Sequence, residues 1–389
     1  MINTLVVPFW QPCPSPGLRL LGMGFKDRIV FQSHRSGFKN LVLLPEPGVV
    51  APLPEAFLLF LPNLLLTESG WKQLKALEPA SETLTMISGT DSLALVRCKD
   101  AKFVSEAFEK SRSHDDLLAN LGTRLKRECV SLKEREWIMF RSEEDSPVAE
   151  KWMLRRLVKD SEGFMSRHLE RKISLAVTRK LVETRITPNA MTLVSLGIGL
   201  VGASFFVLPP GPGHVVGSLL FWLHSVLDGC DGELARLKFA ESRWGGLLDF
   251  WGDNVVHSAV FSAIAAGISR HKPGSTPLLL AASAVGGTLL SASMVYWTTM
   301  RRKNSGGPLF TSVSRNGEGV PSPGAKIADL LARRDFIYLV VALACLRRTD
   351  WFLWMGALGA PLYFLALTGF SLKTRPATPQ QIMSPNIVT

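Results

Sequence analysis

Hydrophobic residues along this chain change character near residue 150. Upstream, the apolar runs are short and separated by polar or Pro/Gly stretches: INTLVV, FKNLVLL, EAFLLFL, TLTMIS and DSLALVRC. Runs of this length, bounded by turn-forming residues, predict buried β-strands. Between them, FKDRIVFQSHRSG and ESGWKQLKALE place apolar residues at helical spacing and predict helices. Alternation of strand and helix predicts an α/β layer domain over residues 1–147. Downstream, the apolar runs lengthen enough to cross a bilayer. They predict an all-α domain over 189–372 with six spans near 190–208, 213–230, 248–269, 275–298, 335–347 and 351–371. The fifth is short and needs tilt or extension by its neighbours. Pro188, in Thr187-Pro188-Asn189, suits the first turn of a helix, where its missing N–H costs little.

Residues 148–188, between the two regions, mix Leu, Ile and Val at helical spacing with many Arg and Lys, as in KWMLRRLVKD and SRHLERKISLAVTRKLVETR. A basic amphipathic helix of this kind lies along a membrane interface. An exposed linker helix is the alternative, and the span that follows at once favours the interface. Residues 373–389 form a C-terminal tail.

Composition sharpens this reading. The 389 residues are 47% hydrophobic yet carry a formal net charge of +11. A basic soluble protein that binds nucleic acid would not string its apolar residues into long runs, so nucleic acid is not expected as a partner. Basic loops flanking membrane helices account for both properties. An even number of spans leaves both termini on one side. The Arg and Lys before the first span, at 236–243, at 301–334 and at 373–375 put that side in the cytoplasm. Arg270, Lys272, Arg347 and Arg348 fall on the opposite side of this scheme. The start, MINTLVVPFWQPCPSPG, lacks the basic and apolar regions of a signal peptide. The expectation is a multi-pass protein of the plasma (inner) membrane, with its N-terminal domain in the cytoplasm. The five cysteines are scattered, with no CxxC pair or Cys/His cluster, so neither a disulfide framework nor a zinc site is indicated.

Ionisable residues inside membrane spans are costly and mark functional sites. Four aspartates stand in LDGCDGELARLKFAESRWGGLLDFWGDN. Asp228 and Asp231 are three apart and share a helix face; Asp249 and Asp253 are four apart and share a face of the next helix. Two antiparallel helices joined by the intervening segment bring all four together. Such carboxylates repel at low dielectric unless protons or a multivalent cation offset their charge. Hard oxygen ligands suit Mg²⁺ or Mn²⁺, and two such ions about 4 Å apart grip a diphosphate. Gly232 and Ala235 leave room for a diphosphate or a neighbouring helix, and Arg236 supplies a fixed cation. Gly245 and Gly246 allow the second helix to pack closely. Helix caps, or ion pairs with Arg236, Lys238 and Arg243, explain one or two of the aspartates but not four at helical spacing. An ion-coupled transporter is the other functional reading.

The spacing D-x2-D-G-x2-A-R-x8-G-x3-D-x3-D, met in full by Asp228, Asp231, Gly232, Ala235, Arg236, Gly245, Asp249 and Asp253, resembles the signature of the CDP-alcohol phosphotransferases. The resemblance covers about residues 150–372. It implies a membrane enzyme that moves a substituted phosphate from a CDP-linked donor, CDP-diacylglycerol or a CDP-polyol, to an alcohol acceptor, releasing CMP. By that resemblance Asp228, Asp231, Asp249 and Asp253 ligate two Mg²⁺ or Mn²⁺ ions, and Asp253 also serves as base. Gly232, Ala235, Arg236 and Gly245 lie along the CDP moiety, with Asn189 at the same level. Arg301 and Arg302 are candidates for a phosphate on the acceptor, or simply anchor a helix end. A homodimer in the bilayer is also implied.

The wording of SRHLERKISLAVTRKLVETRITPN and LDGCDGELARLKF is most similar to a branch with a cytidylyltransferase domain fused ahead, whose products are inositol phosphodiesters. The N-terminal strand pattern resembles that nucleotidyltransferase fold but departs from it where chemistry would occur. PFWQPCPSPG replaces the glycine-rich loop after the first strand, and Pro62 and Asn63 stand where a metal-binding Asp would be. The resemblance therefore implies a degenerate, inactive domain with a scaffold, docking or regulatory role; an unrelated α/β fold is the alternative.

Overall fold

The computed structural model describes residues 2–10, 18–48, 52–61, 64–88, 93–132, 136–139, 143–158, 165–271, 274–300 and 336–373. The chain divides into two compact units, Met1–Leu157 and Val158–Thr389.

In the first unit β1 (Thr4–Pro8), the hairpin β2 (Arg19–Leu20) and β3 (Met23–Gly24), α1 (Phe25–Arg35) and β4 (Asn40–Leu44) come first. They are followed by β5 (Ala56–Phe60), β6 (Leu64–Leu66), α2 (Glu68–Ala76), β7 (Thr83–Ile87) and β8 (Leu93–Arg97). The unit closes with α3 (Ala101–Lys110), α4 (His114–Leu121), β9 (Lys126–Val130), β10 (Trp137–Met139) and α5 (Ser146–Arg155). Each of the five expected strands forms, as do both expected helices. Three further helices and β9 arise from stretches with weaker apolar periodicity, where local caps do the work. Asp100 accepts from the backbone of Phe103 to start α3, and Ser113 and Asp116 form a capping box on α4.

The main sheet has the order β4-β1-β5-β8-β7-β9. β1 runs parallel to both β4 and β5, while β8 is antiparallel to both β5 and β7. The chain leaves β1 for one edge and returns to its other side through β5. That change of direction beside β1 is where open α/β sheets place a ligand, at the carboxyl ends of the strands. Here the position is filled from within. Trp10, two residues beyond β1, is buried and stacks on His114 at 5.8 Å and 9°. The His114 ring meets the carbonyl of Pro8 at 3.0 Å. Phe108 meets Trp10 edge-on, and Leu61 joins the same core cluster.

The first unit ends later than the sequence pattern suggests, after Leu157 and not at 147. The reason is α5, which was expected in the interfacial segment. It buries Ala149 and Met153, and its Glu150 carboxylate accepts from the Leu21 amide at 3.2 Å. Glu150 also acts on Arg28, whose guanidinium is pushed down to about 10 by burial against that carboxylate's pull.

The second unit is helical. One π-helical turn, Ser166–Glu170, leads into α6 (Arg171–Leu181), followed by α7 (Pro188–Ser204), α8 (Pro212–Leu237) and α9 (Arg243–His271). Then come α10 (Thr276–Val295), α11 (Phe336–Cys345) and α12 (Thr349–Lys373). Pro188 occupies the first turn of α7, and the Thr187 hydroxyl caps it by accepting from Ala190. Among the described residues, three helices are long and apolar enough to cross a membrane: Pro188–Val207, Thr276–Thr298 and Thr349–Gly369. The expected fifth span is the ten-residue helix Phe336–Cys345, well below the roughly 20 residues that cross a bilayer untilted. α8 and α9 are long but carry the charged motif.

α8 is the central helix, and the small residues on α7 let it approach. A Cβ at Gly217 would stand 2.8 Å from the carbonyl of Gly202, and one at Gly202 would stand 3.0 Å from the carbonyl of Gly217. Backbones meet directly at this crossing, as small-residue packing between membrane helices permits. We expect Gly217→Leu to abolish a monodisperse, folded protein in detergent. Gly197→Ala, on the same helix as Gly202 but with nothing within 4 Å of its added methyl, should be neutral or raise the melting temperature slightly. Size-exclusion profiles and thermal melts of the two variants check this.

Candidate active site

The site is built on the ends of α8 and α9 and the turn between them. α8 runs through the whole D-x2-D-G-x2-A-R segment. It ends with Lys238 as its last cap residue and Phe239 in the left-handed region at φ 52°. The amide of Ala240 reaches back to the carbonyl of Ala235 at 2.9 Å, closing a Schellman-type cap without a glycine. Ser242 then starts α9 by accepting from the Gly245 amide at 2.9 Å. The reversal therefore rests on Phe239 and Ser242. Lys238 fastens the turn from below, its ammonium donating to the carbonyls of Thr184 and Ile186, each at 2.8 Å.

This reversal brings Asp228, Asp231 and Asp249 together, with one oxygen of each within 4.8 Å of the others. Asp228 and Asp231 are buried. The Thr192 hydroxyl on α7 donates to Oδ2 of Asp231. Oδ1 of Asp249 is buried with no hydrogen-bond partner among the described residues. A full carboxylate oxygen in that condition, facing two other carboxylates, fits a hard divalent cation, since the donor set is all oxygen. Asp253 stands apart from this group of three. Its Oδ1 lies 3.3 Å from Nε2 of the buried His224. One helical turn separates it from Asp249, about 6 Å along the axis.

The other expected residues surround the cluster. A Cβ at Gly232 would meet nothing nearer than the Arg236 guanidinium at 3.7 Å. Packing within the chain thus does not demand glycine there, and its absent side chain leaves space beside Asp231. Gly245 is different: a Cβ would strike Oδ1 of Asn189 at 2.7 Å, so the start of α9 sits directly against the start of α7. Ala235 and Arg236 are half-buried on the last turn of α8. Arg301 and Arg302 lie outside the described residues.

Residues 185–362 match the family model for CDP-alcohol phosphatidyltransferase. This match, which spans just under half of the chain, makes the second unit similar to CDP-alcohol phosphatidyltransferases. Among characterised relatives, the bifunctional IPC transferase and DIPP synthase of Thermococcus kodakarensis is 33% identical over 42% of this chain and 37% of that protein. The protein of the same name from Archaeoglobus fulgidus is 34% identical over 42% of this chain and 32% of that one. Phosphatidylinositol phosphate synthase of Corynebacterium glutamicum is 33% identical over 23% of this chain and 39% of its own length. The matched part is thus well under half the length of each of these relatives. A crystal structure of Mycobacterium tuberculosis phosphatidylinositol phosphate synthase with CDP-DAG bound aligns with 52% of this chain and 91% of that one, at 18% identity and a TM-score of 0.34. Another was solved with manganese and citrate, at 20% identity and a TM-score of 0.33.

Within the matched segment, sequence reasoning missed Glu233. It points away from the aspartates and is fully buried against α6. Its carboxylate accepts from Ser174 Oγ at 2.7 Å, Thr178 Oγ1 at 2.6 Å and Arg171 Nη1 at 2.8 Å. The buried face of α6 is therefore polar at Ser174 and Thr178, whereas an amphipathic pattern directs attention to its Leu, Ile and Val. A signal was present: a third acid, after Asp228 and Asp231, inside the motif, with Arg171, Ser174 and Thr178 at helical spacing in the preceding basic segment. Removing one partner of a buried pair strands the other's charge, which costs about 3–5 kcal/mol. We expect Glu233→Ala to lower the melting temperature of the detergent-solubilised protein markedly. Glu233→Gln, which keeps an acceptor for one hydroxyl, should lose less; a melt equal to wild type for Glu233→Ala would show the clamp to be idle.

Proposed function

We propose that this protein is a divalent-metal-dependent transferase that moves a substituted phosphate from a CDP-linked donor to an alcohol and releases CMP. The observation that carries the reading is the convergence of three carboxylate oxygens within 4.8 Å beside the space left at Gly232. Asp228, Asp231 and Asp249 would hold Mg²⁺ or Mn²⁺, and the full assignment of two ions has Asp253 contribute as well. Such ions, when bound, supply Lewis-acid charge to phosphate oxygens.

The remaining chemistry belongs to the chain. Gly232 and Ala235 admit the diphosphate, and Arg236 donates to its oxygens from a fixed guanidinium. Asn189 and Gly245, which abut, form one wall for the nucleotide. The acceptor hydroxyl oxygen attacks the phosphorus of the substituted phosphate. The new P–O bond forms as the bond to the CMP oxygen breaks, CMP leaves with that electron pair, and the hydroxyl proton passes to Asp253. Arg301 and Arg302 are candidates for an acceptor that carries its own phosphate.

The donor class follows from the domain, and the donor itself is either CDP-diacylglycerol entering from the bilayer or a CDP-polyol from water. The relatives named for phosphatidylinositol phosphate and DIPP make inositol phosphates the first acceptors to offer. We place the six helices α7–α12 in the plasma membrane as a homodimer, with the site and the first unit at the cytoplasmic face. The first unit, a nucleotidyltransferase-like domain, serves as a scaffold, docking or regulatory element. What supports its inactivity is the Trp10–His114 stack filling the crevice beside β1.

Purified protein in detergent, given CDP-diacylglycerol or a CDP-polyol with a panel of alcohols, should release CMP only with Mg²⁺ or Mn²⁺. Asp249→Asn should cut that rate on the order of 10²–10³-fold, the usual loss when a charge-stabilising element is removed. CMP release unaffected by the substitution, or ion-driven solute flux in liposomes with no response to cytidine nucleotides, would overturn the reading.

A further inference from the structure

Thr192 lies outside the aspartate signature, yet it reaches into it from another helix. Three contacts step in opposite directions along α7 and α8, which run antiparallel. Gly202 meets Gly217 backbone to backbone, the Ser195 carbonyl meets Nδ1 of His224 at 2.9 Å, and the Thr192 hydroxyl meets Oδ2 of Asp231. The small residues at the crossing bring the two axes close, so a side chain as short as threonine spans the gap. Thr192 is 3% exposed and Asp231 5%, so water has little access to the bond between them.

Inside a helix, a threonine or serine hydroxyl ordinarily turns back on a carbonyl of the preceding turn. Ser195, on the same face of α7, does this, donating to the carbonyl of Thr192 at 2.9 Å. Thr192 has the same local option in the carbonyl of Pro188, 3.2 Å from its Oγ1. A hydroxyl carries one proton, and an ionised carboxylate accepts it more strongly than a neutral carbonyl does. The proton therefore goes to Asp231, and the bond crosses between helices when a bond within α7 was available.

We propose that Thr192 is a positioning residue for the metal site. By engaging Oδ2 it fixes the plane of the Asp231 carboxylate, and the other oxygen is the one offered to the cation alongside Asp228 and Asp249. Without the hydroxyl the carboxylate turns more freely and the cation has to order it on binding. Partners that orient metal-ligating carboxylates set affinity in this way. The proposal rests on the transferase reading above, in which these three carboxylates hold Mg²⁺ or Mn²⁺.

Valine has the shape of threonine without the hydroxyl, and serine keeps the hydroxyl without the methyl group. Mn²⁺ binding to the full-length protein in detergent, with no nucleotide present, is measured by titration calorimetry. Thr192→Val should raise the Kd about 10–100-fold, the usual cost of losing such a partner, while Thr192→Ser stays within about three-fold of wild type. CMP release should show the same division: Thr192→Val needs more Mn²⁺ for its half-maximal rate, and its donor KM at saturating Mn²⁺ matches wild type. Wild-type affinity in Thr192→Val, or an equal loss in Thr192→Val and Thr192→Ser, would overturn the proposal, because the side chain would then serve only to pack α7 against α8. Thr192→Ala, which also lacks the hydroxyl and adds no bulk, is held to the same criteria where the valine variant fails to fold. Wild type that binds no Mn²⁺ would instead sink the metal-dependent transferase reading itself.

Discussion

Asp228, Asp231 and Asp249 cannot be held within 4.8 Å of one another unless the bundle resists their repulsion. At that spacing each fully charged pair repels by about 3–4 kcal/mol at an effective dielectric near 20. Nothing in the local sequence offsets this, and the rest of the membrane half can be understood as the structure that does. α8 must be held on the side away from the aspartates, the reversal into α9 must not slacken, and α7 must be close enough to offer a donor. Each of those requirements is met by a polar contact, buried at Glu233 and Thr192 and exposed at Lys238.

The clamp at Glu233 meets the first. Asp231 and Glu233 are two residues apart, so they project from opposite sides of α8, one toward the cluster and one toward α6. Three donors neutralise and satisfy Glu233, and Arg171 is itself only 17% exposed. A buried pair of this kind gives little net stability over an apolar contact, but it gives a single register, because no other rotation of α8 satisfies the carboxylate. The direct backbone approach at Gly202 and Gly217 fixes the same helix from the α7 side. The cluster is thus pre-formed, and a cation or a substrate phosphate arriving there meets ligands that need little reorganisation.

The spacing of the aspartates was readable in the sequence because it is a property of single helices: residues three or four apart share a face whatever the tertiary structure. Pro188 and the strands of the first unit were readable for the same local reason. The contacts that were not readable join residues far apart, such as Glu233 to Ser174 and Thr178, or His224 to Ser195 and Asp253. A buried Ser or Thr on a basic helix has no periodic signature, since its role depends on an acid more than fifty positions away. Phe239 escaped for another reason. A left-handed cap is ordinarily marked by glycine, and a bulky residue at positive φ runs against that preference, so the end of α8 had no stop signal. The division between the units was displaced because α5 is basic like α6. Its attachment through Glu150 to the β2–β3 hairpin is again a long-range contact.

The two units also differ in what their buried polar groups are for. In the first, the crevice beside β1 is closed by Trp10 and His114, and the one imidazole there is spent on the carbonyl of Pro8. Burial pushes the His114 ring below its ordinary range, against the pull of that carbonyl and of Asp115, which favours the neutral form. A neutral ring stacked on indole is a packing element. In the second unit the histidine near the site meets both the Ser195 carbonyl and the Asp253 carboxylate, and a methyl at Gly232 would meet only the Arg236 guanidinium. The first unit satisfies its buried imidazole with its own backbone, whereas the second gathers three carboxylates at the ends of two helices, where their mutual repulsion has to be resisted by the packing around them.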